Sequence, residues 1–317
     1  MRTSLLALLV LAGLLPLTGC RRDAEAPPRK LVGVSVLTLT NPFFKEIGDV
    51  FTAEMARHGY EALVVSGDED QARQKAQVED FLAKGVAAIV LCPCNSQTAG
   101  EAIRLANQQG VPVFTADIAC LDRSARVVTH VATDNYAGGK QAGQAVIEAL
   151  GPAGGKVLVL DYASVESCQL RVKGFHEVID GYNRDRGPKG AIEIVAELPG
   201  GGNKEQAAKT TADALVRFPD LAGIFAINDP SALGAYSALG SRAGQVKIIG
   251  FDGQLEGKQA IKEGKIYADP VQYPDKIGQE TAHVILQYFQ GEQPRSEILI
   301  PPGLYRKADA ERDGSLK

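Results

Sequence analysis

The chain has 317 residues, 45% of them hydrophobic, and carries a net charge of −4 with a pI near 5.7. This is ordinary globular composition, long enough for one large domain or two smaller ones with their own cores. The mildly acidic balance argues against a nucleic-acid partner, whose binding surface normally shows as a basic patch or stripe.

The first segment reads as a targeting sequence rather than as part of the fold. Arg2 gives a positive start, and Leu5 to Leu17 is an apolar run too short to span a bilayer comfortably. The run ends in Leu17-Thr18-Gly19-Cys20, which resembles the lipobox of bacterial lipoproteins, where the cysteine is acylated and becomes the first mature residue. That resemblance implies a signal peptide over residues 1–19, lipidation at Cys20 and a polar, Pro-rich tether over residues 20–30. A plain secretory signal can end in similar small residues, and on either reading the chain is exported. A lipidated Cys20 would hold it at the cell envelope without a transmembrane helix.

From Leu31 onward, short β-type apolar runs alternate with amphipathic segments of helical length. The predicted strands are 31–37, 61–66, 87–92, 111–115, 127–132, 156–161, 191–197, 222–227, 246–251 and 266–270. The predicted helices are Asn41–His58, Gln71–Lys84, Thr98–Gln109, Ala137–Leu150, Arg171–Asp180, Lys204–Arg217, Ala232–Leu239 and Leu255–Lys262. Such alternation implies βαβ units and parallel sheets covered on both faces. The strands are too numerous for one small doubly wound sheet, and the rhythm restarts after Gly151-Pro152-Ala153-Gly154-Gly155. Two similar α/β lobes are therefore expected.

Export bears on the remaining cysteines, because thiols outside the cytoplasm tend to pair. Cys92 and Cys94 close one predicted strand, Cys120 lies just beyond the next, and Cys168 is distant. A disulfide from Cys120 to Cys92 or Cys94 and free buried thiols are both open. The spacing fits neither a redox pair nor a zinc knuckle. His58, His130, His176 and His283 are scattered, so no metal site and no cofactor is expected.

In parallel α/β sheets, ligands bind beyond the carboxyl ends of the strands. Those ends carry Asn41, Asp117, Asp134, Asn228, Asp252 and Gln272, with Arg171 placed at the start of a predicted helix. Asn41 can cap a helix that Pro42 starts. The adjacent rings of Phe43 and Phe44 cannot both face one helix's core, since neighbouring residues sit about 100° apart. At least one of them should face a cleft. Planar amides, carboxylates and guanidinium groups make paired hydrogen bonds to vicinal hydroxyls, and an aromatic face packs on the C–H surface of a sugar ring. The constellation suits a small, neutral, polyhydroxylated ligand.

Several segments together resemble the ribose-type periplasmic sugar-binding proteins, the solute-binding subunits of ABC importers. They are Thr40-Asn41-Pro42-Phe43-Phe44, Ala132-Thr133-Asp134-Asn135, Arg171-Val172-Lys173-Gly174-Phe175, Ala226-Ile227-Asn228-Asp229, Gly250-Phe251-Asp252-Gly253 and Gln272-Tyr273-Pro274-Asp275. The resemblance implies two doubly wound parallel-sheet lobes joined by a three-crossover hinge, near Thr133–Asp134, Gln272–Tyr273 and Ile300–Pro302. It implies an N-terminal lobe of residues 31–133 plus 273–300 and a C-terminal lobe of residues 134–272 plus 301–312. The implied ligand-binding residues are Asn41, Phe43, Phe44 and Asp117 from the first lobe, Arg171, Asn228, Phe251 and Asp252 from the second, and Gln272 at a crossover. Ligand-driven closure of the lobes follows from the same likeness.

The chain also departs from that pattern. The family's ribose binders carry a polar residue at the position of Leu37, an arginine at Ile118 and an asparagine at Cys92. The aromatic expected around Leu198–Asn203 is replaced by Pro199-Gly200-Gly201-Gly202. The identity of the sugar or polyol is thereby left open.

The expected function is a monomeric, lipid-anchored receptor that delivers a small neutral sugar or polyol to an ABC permease. The same fold can instead present its ligand to a sensor kinase or chemoreceptor. No Ser–His–Asp or Cys–His pairing occurs among the strand-end residues, and Asp117 with Asp252 would be needed as a carboxylate pair for glycoside hydrolysis; no enzyme is expected. Gly200-Gly201-Gly202-Asn203-Lys204 lacks the spacing of a phosphate loop, which excludes nucleotide binding.

Overall fold

The computed structural model describes residues 30–316. The leader, Cys20 and nearly all of the tether lie outside the described residues. The chain runs β1 (Leu31–Val36), α1 (Pro42–Arg57), β2 (Glu61–Ser66), α2 (Gln71–Lys84), β3 (Ala88–Leu91), α3 (Gly100–Gln108), β4 (Val113–Ala116) and β5 (His130–Thr133). It continues through α4 (Asn135–Leu150), β6 (Gly155–Asp161), α5 (Glu166–Arg186), β7 (Ile192–Pro199), α6 (Lys204–Arg217), β8 (Leu221–Ala226) and α7 (Asp229–Ala238). The last elements are β9 (Lys247–Ile249), α8 (Leu255–Lys262), β10 (Ala268–Val271), α9 (Pro274–Phe289), β11 (Glu297–Ile300), β12 (Gly303–Arg306) and α10 (Lys307–Arg312).

Two six-stranded sheets result, ordered β11-β5-β4-β3-β1-β2 and β12-β10-β9-β8-β6-β7. All pairings are parallel except the antiparallel pair β10–β12 at one edge. The central strands are buried on both faces, as parallel sheets under helices require: Ala88–Leu91 and Val113–Ala116 are wholly buried. The chain passes between sheets after β5, after β10 and after β11, which gives the expected three-crossover hinge. Asp134 N–H donates to the Ile300 carbonyl at 2.9 Å, tying two of these crossovers side by side.

The N-terminus of α1 forms as its sequence implies. The Asn41 side chain accepts the Phe43 N–H at 3.0 Å, and Pro42 occupies the first turn. The helix then buries Phe44, Ile47, Phe51 and Met55, the i, i+3, i+4 spacing of one face. That face and α9 pack together within the first lobe.

The structure alters several expectations. Helix α5 begins at Glu166, so Arg171 sits in its second turn rather than at its start. No side-chain cap marks that beginning, since Val165 precedes it. Strands β11 and β12 and helices α9 and α10 are not among the predicted elements. The two strands are four-residue edge strands flanking Pro301-Pro302 and only half buried, too short to show a period. Cys92, Cys94, Cys120 and Cys168 are all free thiols. Burial drives the Cys94 and Cys168 thiols up to about 12, so neither supplies a thiolate at neutral pH.

Candidate functional site

A cavity of about 600 Å³ lies between the lobes, at the carboxyl ends of both sheets. This is the size range of small-molecule sites. Asn41, Phe43, Phe44, Asp117, Arg171, Asn228, Asp252 and Gln272 all line it. Both members of the phenylalanine pair reach the cavity, because α1 starts at its rim with no preceding turn to cover them. Their rings meet edge to face, 5.2 Å apart at 87°.

Arg171 is held from three directions. Its Nε donates to Asn135 Oδ1 at 2.8 Å, and its Nη1 donates to the Ile227 carbonyl at 2.7 Å and to Asp252 Oδ1 at 3.4 Å. The guanidinium lies 3.9 Å above the centroid of Phe251. The helix that carries it can approach α4 this closely because both contact points are glycines. A Cβ on Gly139 would come within 2.0 Å of the Arg171 carbonyl oxygen, and one on Gly174 within 2.2 Å of that of Tyr136.

Phe251 is therefore not a wall of the cavity. It is fully buried, does not line the cavity, and its ring closes over Gly138. It stacks beneath Arg171 and fixes the plane of the guanidinium.

Asp252 accepts from Gln272 Nε2 at 2.7 Å and from Gln254 Nε2 at 3.2 Å. Burial raises its pKa, against the lowering effect of Arg171 and both glutamines. Asp117, across the cavity, has fewer partners: its Oδ1 is buried with no hydrogen-bond partner among the described residues. Burial pushes it up to about 7, with Arg171 opposing. Both aspartates hold positive φ, 65° for Asp117 and 105° for Asp252. Such backbone costs energy for a non-glycine residue and turns each carboxylate out of its strand line into the cleft.

Two residues escaped the sequence reading. Gln254 bridges the lobes, its Nε2 also donating to Asn41 Oδ1 at 2.9 Å. Tyr162 follows β6 directly and lines the cavity. The strand-end rule applied to Asp161-Tyr162 would have found it. Ser96 N–H also donates to the Ser164 carbonyl at 3.0 Å and Glu166 N–H to Ser96 Oγ at 2.9 Å. The lobes are thus in contact at two places.

Behind Asp252 lies a second carboxylate pair, Asp229 and Asp269. Gln254 N–H donates to Asp229 Oδ2 at 2.7 Å, but Asp229 Oδ1 and both Asp269 oxygens have no other donor among the described residues. Burial raises both, Asp269 to about 7, and their mutual repulsion adds to the rise for Asp229. Burial thus favours a neutral carboxyl over a second charge at this pair.

Two α/β lobes with three crossovers and a polar cavity between them define a hinged solute-binding architecture. The chain belongs to the periplasmic binding protein domain family, whose match covers residues 32–293. Membership implies an exported, periplasmic chain. It is similar to the ribose import binding protein of Haemophilus influenzae, 30% identical over 287 residues that cover 90% of this chain and 94% of that one. It is 28% identical over 288 residues to the D-apiose import binding protein of Paraburkholderia graminis, covering 90% of each chain. The Caulobacter myo-inositol binding protein, solved with myo-inositol bound, superimposes with a TM-score of 0.81 at 25% identity, covering 92% of this chain and 99% of that one.

Proposed function

We propose that this chain captures a small neutral sugar or polyol between its lobes and delivers it to an ABC importer. The observation that carries this is the ring of fixed, planar polar groups facing the phenylalanine pair across one cavity. Arg171 and Asn228 supply donors, Asp117 and Asp252 supply acceptors, and Asn41 and Gln272 complete the polar lining. Phe43 and Phe44 offer an apolar wall for C–H faces. Relatives named for ribose and apiose import, and one holding myo-inositol, support that ligand class.

In this reading residues 31–133 with 273–300 move as one lobe and residues 134–272 with 301–312 as the other. The sheet membership of the strands supports that division. The protein binds and releases its ligand unchanged, without catalysis, and works as a monomer. Its lipobox-like Leu17-Thr18-Gly19-Cys20 supports anchoring at the cell envelope through Cys20.

A thermal-shift screen against D-ribose, D-allose, D-apiose and myo-inositol tests the reading. A ligand at 100 times its Kd stabilises the folded chain by about 2.7 kcal/mol, a shift that is easily measured. No shift with any of the four would contradict it.

A further inference from the structure

We infer that Tyr162 is the aromatic wall of the second lobe and sets which ring ligands the cavity accepts, a role that rests on the function proposed above. Among the residues lining the cavity the aromatics are Phe43, Phe44 and Tyr162, and only Tyr162 comes from the second lobe. Phe251 is excluded by its place beneath Arg171. A ring ligand stacked on the first-lobe phenylalanines has Tyr162 as its one aromatic counterpart across the cleft.

The glycine loop explains why the ring comes from this position. Strands β6 and β7 are neighbours, with Asp161 opposite Pro199, so Tyr162 and the Gly200–Gly202 loop leave the sheet side by side. Asn228 Nδ2 donates to the Gly202 carbonyl at 2.9 Å and draws the loop inward. Gly201 and Gly202 take φ of +65° and +66°, left-handed values that favour glycine. A Cβ on Gly202 would already lie 3.4 Å from Tyr162 Cδ1 and 3.6 Å from Asn228 Nδ2. A bulky side chain there would compete with the tyrosine ring for the same space.

The turn that presents Tyr162 is built rather than loose. Asp161 Oδ1 accepts the Tyr162 N–H at 2.6 Å, and the half-buried side chain packs against the hydrophobic core. With Leu37 and Ile118 on the first-lobe side in place of polar groups, the cavity recognises one face of its ligand by apolar contact. The hydroxyls of the ligand are then directed to Arg171, Asp252 and Gln272. Ring polyols fit this division; open-chain polyols leave the Tyr162 face unfilled.

Calorimetric titration of D-ribose, D-allose, D-apiose and myo-inositol into the native protein, Tyr162→Ala and Tyr162→Phe decides the point. For the tightest of these ligands, Tyr162→Ala is expected to lose at least tenfold in affinity and Tyr162→Phe to stay within about threefold, since the ring face is what stacks. The ligand-free melting temperatures of both variants report whether the lobe remains folded. Unchanged affinity in a folded Tyr162→Ala, or an equal loss in both variants, overturns the role of the ring and leaves the proposed function standing. A native protein that binds none of the four removes both.

Discussion

Replacing Arg171 with alanine removes the group on which the second-lobe half of the site is assembled. The guanidinium and Asp252 are both about 4% exposed, so the pair is buried rather than screened by water. Its loss leaves the Asn135 side-chain oxygen and the Ile227 carbonyl without their Arg171 donor, and leaves Asp252 with glutamine donors alone. Breaking a buried ion pair from one side typically costs about 3–5 kcal/mol, and proton uptake by Asp252 limits the cost to the lower part of that range. Ligand binding suffers separately: one or two charge-assisted bonds at roughly 1.5–3 kcal/mol each amount to a loss of at least about tenfold. Urea unfolding followed by far-UV circular dichroism measures the first effect, since the chain has no tryptophan to report by fluorescence. Calorimetry with the sugar found in the thermal-shift screen measures the second. Adding Asp252→Asn to Arg171→Ala should recover part of the stability, because the stranded charge is gone, while binding stays lost. An unchanged urea midpoint in Arg171→Ala, or no recovery in the double variant, would refute the description of the pair.

Further outcomes follow from the other groups. Ligand hydroxyls donating to Asp117 favour its ionised form, so affinity should rise with pH through about 7 and be roughly tenfold weaker at pH 6 than at pH 8; a flat profile would remove Asp117 as an acceptor. The raised folded pKa of Asp269 means that its contribution to stability is present below about pH 4 and is lost as pH rises to about 7. Asp269→Asn should therefore raise the melting temperature at pH 8 but not at pH 4, and equal effects at both would contradict the raised pKa of Asp269. Gln254→Ala removes the bridge between Asn41 and Asp252 and should weaken ligand binding about fivefold, one hydrogen bond's worth. It should also enlarge the ligand-free radius of gyration in small-angle scattering, and no change in either would dismiss the bridge. Cys20→Ser should move the protein from the membrane fraction to the soluble one, whereas unaltered fractionation would exclude the lipid anchor.

The alternation of strands and helices was legible because central parallel strands leave continuous apolar runs and their helices carry one apolar stripe. The cap at Asn41 was legible because it depends on local chemistry alone. What failed to show was information held between elements. Asp269 sits inside an apolar run, yet it is a fully buried carboxyl with Asp229 as its charged neighbour. Phe251 carries the family-like spacing but turns into the core, because Arg171 needs a surface to stack on. Gln254 lies two residues beyond the candidate Asp252 and Tyr162 one residue beyond the predicted strand 156–161, and only the packing of the Gly200–Gly202 loop and of the opposing lobe explains them. The edge strands β11 and β12 are specified by their partners β5 and β10 rather than by their own four residues.

A crystal structure with the tightest-binding sugar decides whether a ring polyol is enclosed between the lobes. The expected result places the ring between the Phe43–Phe44 pair and Tyr162, with hydroxyls on Arg171, Asp252 and Asp117. A ligand bound outside this cleft, or inside it with no hydroxyl on Arg171 or Asp252, would contradict the account.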